Sequence, residues 1–115
     1  MLLGIAGDPA LGPLIVVGAG GVLTELLADR VVALPPVDHR GALRMLRRLR
    51  VSAQLEGARG QPPADLDSIA GAITGLSALA CELGDALDAL DINPLICGPA
   101  GAVAADALVV AHAFR

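Results

Sequence analysis

Three oxygen-bearing side chains in the last quarter of this 115-residue chain stand out by type and spacing. In Asp91-Ile92-Asn93-Pro94-Leu95 the acid and the amide lie two residues apart, so on a strand they project from one face. Asp106, followed by its own apolar run, would stand opposite them on a returning strand. Two carboxylates and an amide oxygen form a hard-oxygen set suited to Mg²⁺, which takes one or two carboxylates and fills its shell with phosphate oxygens and water. The same residues also read as a solvated polar face on which Asn93-Pro94 starts a turn. A second candidate is Gly18-Ala19-Gly20-Gly21 with Glu25 after it, since glycines let backbone amides approach a phosphate. It lacks the lysine and spacing of a Walker loop and completes no dinucleotide fingerprint, and a plain hairpin turn explains it as well.

The elements that must position these groups can be read from periodicity. Leu2 to Ala6 and Pro13 to Val17 read as strands around the turn Asp8-Pro9-Ala10-Leu11-Gly12, and their near-continuous apolar character predicts burial on both faces. Val22 to Leu27 fits strand or a helical turn, and Arg30 to Leu34 is a further strand stopped by Pro35-Pro36. Asp38 is a good N-cap for a helix from about His39 to Leu49, with Leu43, Met45 and Leu46 buried and Arg40, Arg44, Arg47 and Arg48 on or beside the wet face. Val51 to Gly60 looks irregular, with Gly57 and Gly60 bracketing Arg59.

Pro62-Pro63-Ala64-Asp65 opens the longest helix, running to about Leu83. Leu66, Ile69, Ile73, Leu76, Ala80 and Leu83 recur on it at spacings of three and four, and Gly84 is placed for a left-handed cap. From Ala86 the period becomes two. With the turn Gly98-Pro99-Ala100-Gly101 and the returning run Val103 to Val110, the simplest reading is one β-hairpin from Asp91 to Val110 that brings Asp106 near Asn93. The expected class is α+β, a single domain over residues 1–115 with a mixed or antiparallel sheet packed against two or more helices.

Composition narrows the function. Hydrophobic residues make up 55% of the chain but include one aromatic, Phe114, so stacking platforms for bases or sugars are absent. All eight basic residues are arginines, and six of them lie between Arg40 and Arg59, whereas Asp65 to Asp106 carries seven acids and no base. A net charge of -4 argues against a nucleic-acid binder. No apolar run approaches the roughly 18 to 20 residues of a membrane span, and Met1-Leu2-Leu3 lacks the basic flank of a secretory signal. A cytoplasmic location is expected, with Cys81 and Cys97 as buried free thiols.

Taken in order, these pieces resemble the ATP-grasp module of ADP-forming acyl-CoA synthetases, a likeness that extends to the beta subunit of succinyl-CoA synthetase. The residues that carry it are Gly7-Asp8-Pro9 with Gly12-Pro13, Gly18 to Gly21 with Glu25 and Asp29, Leu34-Pro35-Pro36, Leu55 to Pro62, Asp91 to Leu95, and Asp106-Ala107. The resemblance implies the C-terminal one of two α+β subdomains that hold ATP or ADP between them. It implies Mg²⁺ held by Asn93 and Asp106, with Asp91 a further ligand, although relatives often carry Glu where Ala89 stands. It places Gly20, Gly21 and Glu25 at the phosphate side of the cleft. Arg59 is then a candidate anion contact, with a structural bridge to Asp29 or Glu56 as the other reading.

What such enzymes also need is not in this chain. The phosphate-gripping lysine and the adenine hinge belong to the N-terminal subdomain, and neither His39 nor His112 matches the phosphorylated histidine of the family. The expected partners are therefore that subdomain and a CoA-binding domain or subunit, with self-association open. The parent reaction would be acid plus CoA plus ATP giving acyl-CoA, ADP and phosphate, with no catalytic residue assigned here and no activity expected of the chain alone. A non-catalytic interaction or regulatory domain, and the same module in a protein acetyltransferase, are the alternatives.

Overall fold

The computed structural model describes residues 1–20, 29–57, 60 and 62–113. Strand β1 (Leu2–Asp8) turns through Pro9-Ala10-Leu11 into β2 (Gly12–Gly18). The Asp8 carboxylate closes that turn by accepting from the amides of Ala10 and Leu11, both at 2.8 Å. β3 (Arg30–Ala33) pairs with β2, and the Ala19 amide donates to the Asp29 carbonyl at 3.0 Å where the two strands part. β4 (Leu87–Ile92) lies on the other side of β1, and β7 (Ala107–Ala111) lies beyond it. The sheet order is β3-β2-β1-β4-β7, and all four pairings are antiparallel.

Two helices cover one face of this sheet. Helix α1 (His39–Arg48) begins where expected, with the Asp38 carboxylate accepting from the Gly41 amide at 2.7 Å, and buries Ala42, Met45 and Leu46. Arg40, Arg44, Arg47 and Arg48 are all exposed. The segment expected to be irregular contains a four-residue helix, α2 (Ser52–Leu55). The long helix α3 (Leu66–Leu83) starts four residues later than the proline pair indicated, because Asp65 is the cap. Its carboxylate accepts from the Ser68 amide at 3.0 Å and from the Ser68 hydroxyl at 2.7 Å. Those bonds hold the Asp65 carboxyl below its ordinary value. The Asp65 amide also donates to Gly98, tying the helix start to the second sheet.

Ile69, Ala70, Ile73, Leu76, Ser77 and Ala80 form the buried stripe of α3, while Leu83 is 39% exposed and drops out of it. They meet Leu3, Ile5, Ile15 and Val17 from the sheet. Each such side chain taken fully out of water contributes about 1.5–3 kcal/mol. By length and composition α3 with the following turn, Leu66–Ala86, also passes as a membrane-crossing helix, contrary to the sequence expectation; yet its apolar stripe packs on the sheet. Ser77 is 1% exposed and accepts from the Val37 amide at 2.6 Å, joining α3 to the segment ahead of α1. Gly84 ends α3 with the positive φ of 48° that suits glycine, but its ψ of -123° lies outside the left-handed helical region, so the expected left-handed cap is not formed.

Three further expectations are corrected. Burial on both faces of β1 and β2 does not occur: Leu3, Ile5, Ile15 and Val17 are buried, but Leu2, Leu14 and Val16 across the sheet are only half-buried. The single hairpin from Asp91 to Val110 is broken on both arms. β5 (Leu95–Gly98) and β6 (Gly101–Ala104) leave the main sheet to form a two-stranded sheet against α3, so that Leu95 and Ala102 join the core. Both cysteines are free, but Cys81 is exposed and only Cys97 is half-buried, which pushes its thiol up.

Candidate functional site

The break in the long hairpin builds the site. β4 ends at Ile92 and β7 begins at Ala107, with Ile92 opposite Ala107 and Leu95 opposite Ala104 in the second sheet. Asn93-Pro94, a cis peptide, therefore faces Ala105-Asp106 where the chain leaves one sheet for the other. The Asn93 amide donates to the Asp106 carbonyl at 3.2 Å, and the Ala105 amide to the Pro94 carbonyl at 3.0 Å. Two sequence-predicted residues are thus held side by side by backbone bonds, and both are exposed. One carboxylate oxygen of Asp106, Oδ1, accepts from the following amide at 2.9 Å.

Strand register settles which face these groups occupy. Asp91 is opposite Gly4 on one side and Leu108 on the other, Gly4 is opposite Val16, and Val16 is opposite Val32. That row lies on the face without helices, and by alternation Asn93 and Asp106 belong to the same face. A side chain at Gly4 would come within 3.2 Å of the Leu90 carbonyl and 4.0 Å of Asp91 Oδ1. The glycine keeps the floor beside Asp91 clear.

Gly20 reaches the same end of the sheet from the other side. It holds φ 82°, and a Cβ there would strike the Met1 backbone at 3.0 Å, so only glycine fits without displacement. Met1 in turn donates to and accepts from the Leu95 backbone at 2.8 and 2.7 Å, two residues beyond Asn93. Gly20, Asn93, Asp106 and Asp91 therefore share one end of the main sheet. Gly21, Glu25 and Arg59 lie outside the described residues. The Asp29 carboxylate, 5% exposed, accepts from the Arg50 amide at 2.7 Å and the Val51 amide at 3.2 Å, so it is engaged with backbone.

Sequence reasoning gave Arg30 no role. Its register partner is Gly18, and alternation from Val32 puts it on the open face at the end that holds Gly20. It is exposed and supplies that end with positive charge in a chain without lysine. The alternation within Arg30 to Ala33 was the available signal, but it points to a face only once the helices are known to cover the other.

Two open grooves among the described residues lie away from the site. An open groove of about 650 Å³ lies by the start of α1, lined by Leu34, Pro36, Asp38, Arg44 and Arg48. Another of about 550 Å³ lies at the opposite end of the sheet, by Asp8, Gly12, Asp85 and Asp88. Neither includes Asn93 or Asp106. Among the described residues no three His, Cys, Asp or Glu side chains converge as a metal cage. A donor set of one amide and two acids fits an ion that shares its shell with phosphate and water.

Comparison with known proteins finds relatives in both sequence and structure. The beta subunit of ADP-forming acetate-CoA ligase I from Pyrococcus furiosus is 33% identical over 110 residues, covering 96% of this chain and 47% of that subunit. The ADP-forming acetate-CoA ligase I of Archaeoglobus fulgidus is 36% identical over 95 residues, covering 83% of this chain and 14% of that protein. In structure the chain is similar to the dinucleotide-forming acetyl-coenzyme A synthetase 1 of Ca. Korarchaeum cryptofilum in complex with coenzyme A and Mg-AMPPCP. The TM-score is 0.91 at 29% identity, covering 96% of this chain and 52% of that one. The chain thus spans about half of the beta subunit it matches, or less of longer relatives. The ATP-grasp domain family matches residues 1–111, and the chain belongs to that family.

Proposed function

We propose that this chain is the C-terminal subdomain of the ATP-grasp module of an ADP-forming acyl-CoA synthetase, and that it forms one wall of the nucleotide site. The observation that carries this reading is the backbone-paired Asn93 and Asp106, standing on the open face beside Asp91 at the end that also holds Gly20. In it, Asn93 and Asp106 would hold Mg²⁺ with Asp91 in support, and Gly20 would lie toward the phosphates. Bound there, Mg²⁺ would supply positive charge against the phosphate oxygens, lowering the repulsion that opposes attack on the terminal phosphoryl group. The chain supplies the acids, and a second subdomain supplies the lysine and the adenine pocket. A CoA-binding domain or subunit completes the enzyme, which converts acid, CoA and ATP to acyl-CoA, ADP and phosphate. A cytoplasmic location goes with this chemistry and with the two free thiols.

Calorimetry with Mg²⁺ and ADP tests the proposal on this chain mixed with the separately made upstream half of the Pyrococcus furiosus beta subunit. Binding is expected in the mixture and not with either half alone. Asn93→Ala or Asp106→Ala should weaken it tenfold or more. A mixture that binds no nucleotide, or variants that bind as the parent does, would overturn the assignment.

A further inference from the structure

Among the described residues β7 is a sheet edge: it pairs with β4 on one side only, and Ala107-Leu108-Val109-Val110-Ala111 is apolar throughout and exposed along its whole length. Leu108, Val109 and Val110 are 64, 58 and 43% exposed. Proteins usually blunt such an edge with charge, proline or a bulge on the free side, because its unpaired amides and carbonyls template another strand. β7 has no charged residue and no proline within it. The other edge differs: β3 is four residues long, begins with Arg30 and is followed by Pro35-Pro36.

The direction of β7's free groups follows from its bonds to β4. The Asp106 carbonyl accepts from Asn93, and at the far end the His112 amide donates to the Ala86 carbonyl at 2.9 Å. In an antiparallel ladder the paired groups alternate. Leu108 and Val110 therefore turn their backbone groups toward β4, and Ala107, Val109 and Ala111 turn theirs outward. A second β7 laid antiparallel so that Val109 meets Val109 matches these outward groups completely, with Ala107 opposite Ala111 on both sides. No other antiparallel register pairs all five residues. In this one, Leu108 stands opposite Val110 on the open face, in the closely spaced kind of pair.

The same register aligns polar side chains. Asp106 of one copy falls opposite His112 of the other, twice, on the open face. His112 is exposed and already bonded to Asp88 at 2.8 Å through Nδ1, so it sits between two acids. We propose that β7 is a self-complementary docking edge that joins two copies of this chain about a two-fold axis at Val109, extending the sheet from five strands to ten. The paired area is small, which places the association at the weak, reversible end, with dissociation on the order of 100 µM.

Sedimentation equilibrium on the whole chain, with EDTA and no nucleotide, tests this. The parent should pass from monomer to dimer as its concentration crosses that range. Val109→Lys and Val109→Glu each put like charges face to face on the axis, and each alone should stay monomeric while circular dichroism shows the fold unchanged. Mixed in equal amounts the two variants should dimerise again, since lysine then meets glutamate. A parent that stays monomeric into the millimolar range, variants that dimerise as the parent does, or a mixture without recovery would each overturn the proposal.

Discussion

The two faces of the five-stranded sheet carry different kinds of information. On the inner face Leu3, Ile5, Ile15, Val17 and Leu90 are buried against α1 and α3. On the open face the corresponding row is Val32, Val16, Gly4, Asp91 and Leu108, where Val32 and Leu108 are 44 and 64% exposed. The first is a set of apolar side chains chosen for volume; the second mixes bare apolar surface with a glycine and an acid. Residues that specify the fold and residues of the candidate site thus alternate along the same strands. Substitutions on one face should change stability and leave binding, and those on the other should do the reverse.

The largest break in that contrast is expected from Ile73→Ala, opposite the inner face and fully buried. The lost transfer energy and the cavity together should cost about 2–5 kcal/mol, read as a shift in the urea midpoint. Asp29→Ala comes next, because it strips the part-buried amides of Arg50 and Val51 of their acceptor. It should cost about 1–3 kcal/mol in the same assay. Asp38→Ala removes the cap of α1 and should cost about 1 kcal/mol. Asp106→Ala, exposed on the open face, should stay within about 0.5 kcal/mol of the parent. A large stability loss there would erase the distinction between the faces.

Acid sharpens the same contrast through Asp65, outside both faces. Its carboxyl is held below the ordinary 3.8 by the bonds from Ser68. A lowered folded value means that this contribution is fully present above the unfolded value and is lost as pH falls through the folded one. Stability should therefore fall with acid from about pH 4 downward, and Asp65→Asn should show a shallower fall in denaturation midpoint over that range. An equal slope in the variant would show that other carboxylates govern the acid limb.

Much of this arrangement was legible beforehand for reasons that can be named. The cap at Asp38, the end of α3 at Gly84 and the strands around Asp8 to Gly12 are local events, decided by a carboxylate, a positive φ and a turn within a few residues. Asp91 and Asn93 were legible because oxygen-bearing side chains at spacing two share a face in any strand, and Asp106 because it opens the apolar run that returns beside them. The late start of α3 was missed because Asp65 competes with the proline pair as a start signal, and its amide is drawn to Gly98, 33 positions away. The broken hairpin was missed because its second sheet depends on α3 offering a surface for Leu95 and Ala102. Arg30 was missed for a similar reason, since a strand shows its two faces but not which one is covered.

By itself the sequence determined the class of the fold, the kind of chemistry its oxygen-bearing side chains suit and that the chain has no lysine. These follow from residue type and short-range spacing, which no packing can alter. Only the tertiary structure decided that the chain switches sheets between Asn93 and Leu95 and returns between Ala104 and Ala107, that Gly20 closes on Met1 beside them, and that the helices leave the face bearing Asp91 open. Those choices rest on contacts between segments up to 94 positions apart. Their energies come from burying a common core, and that term exists only once the segments have met.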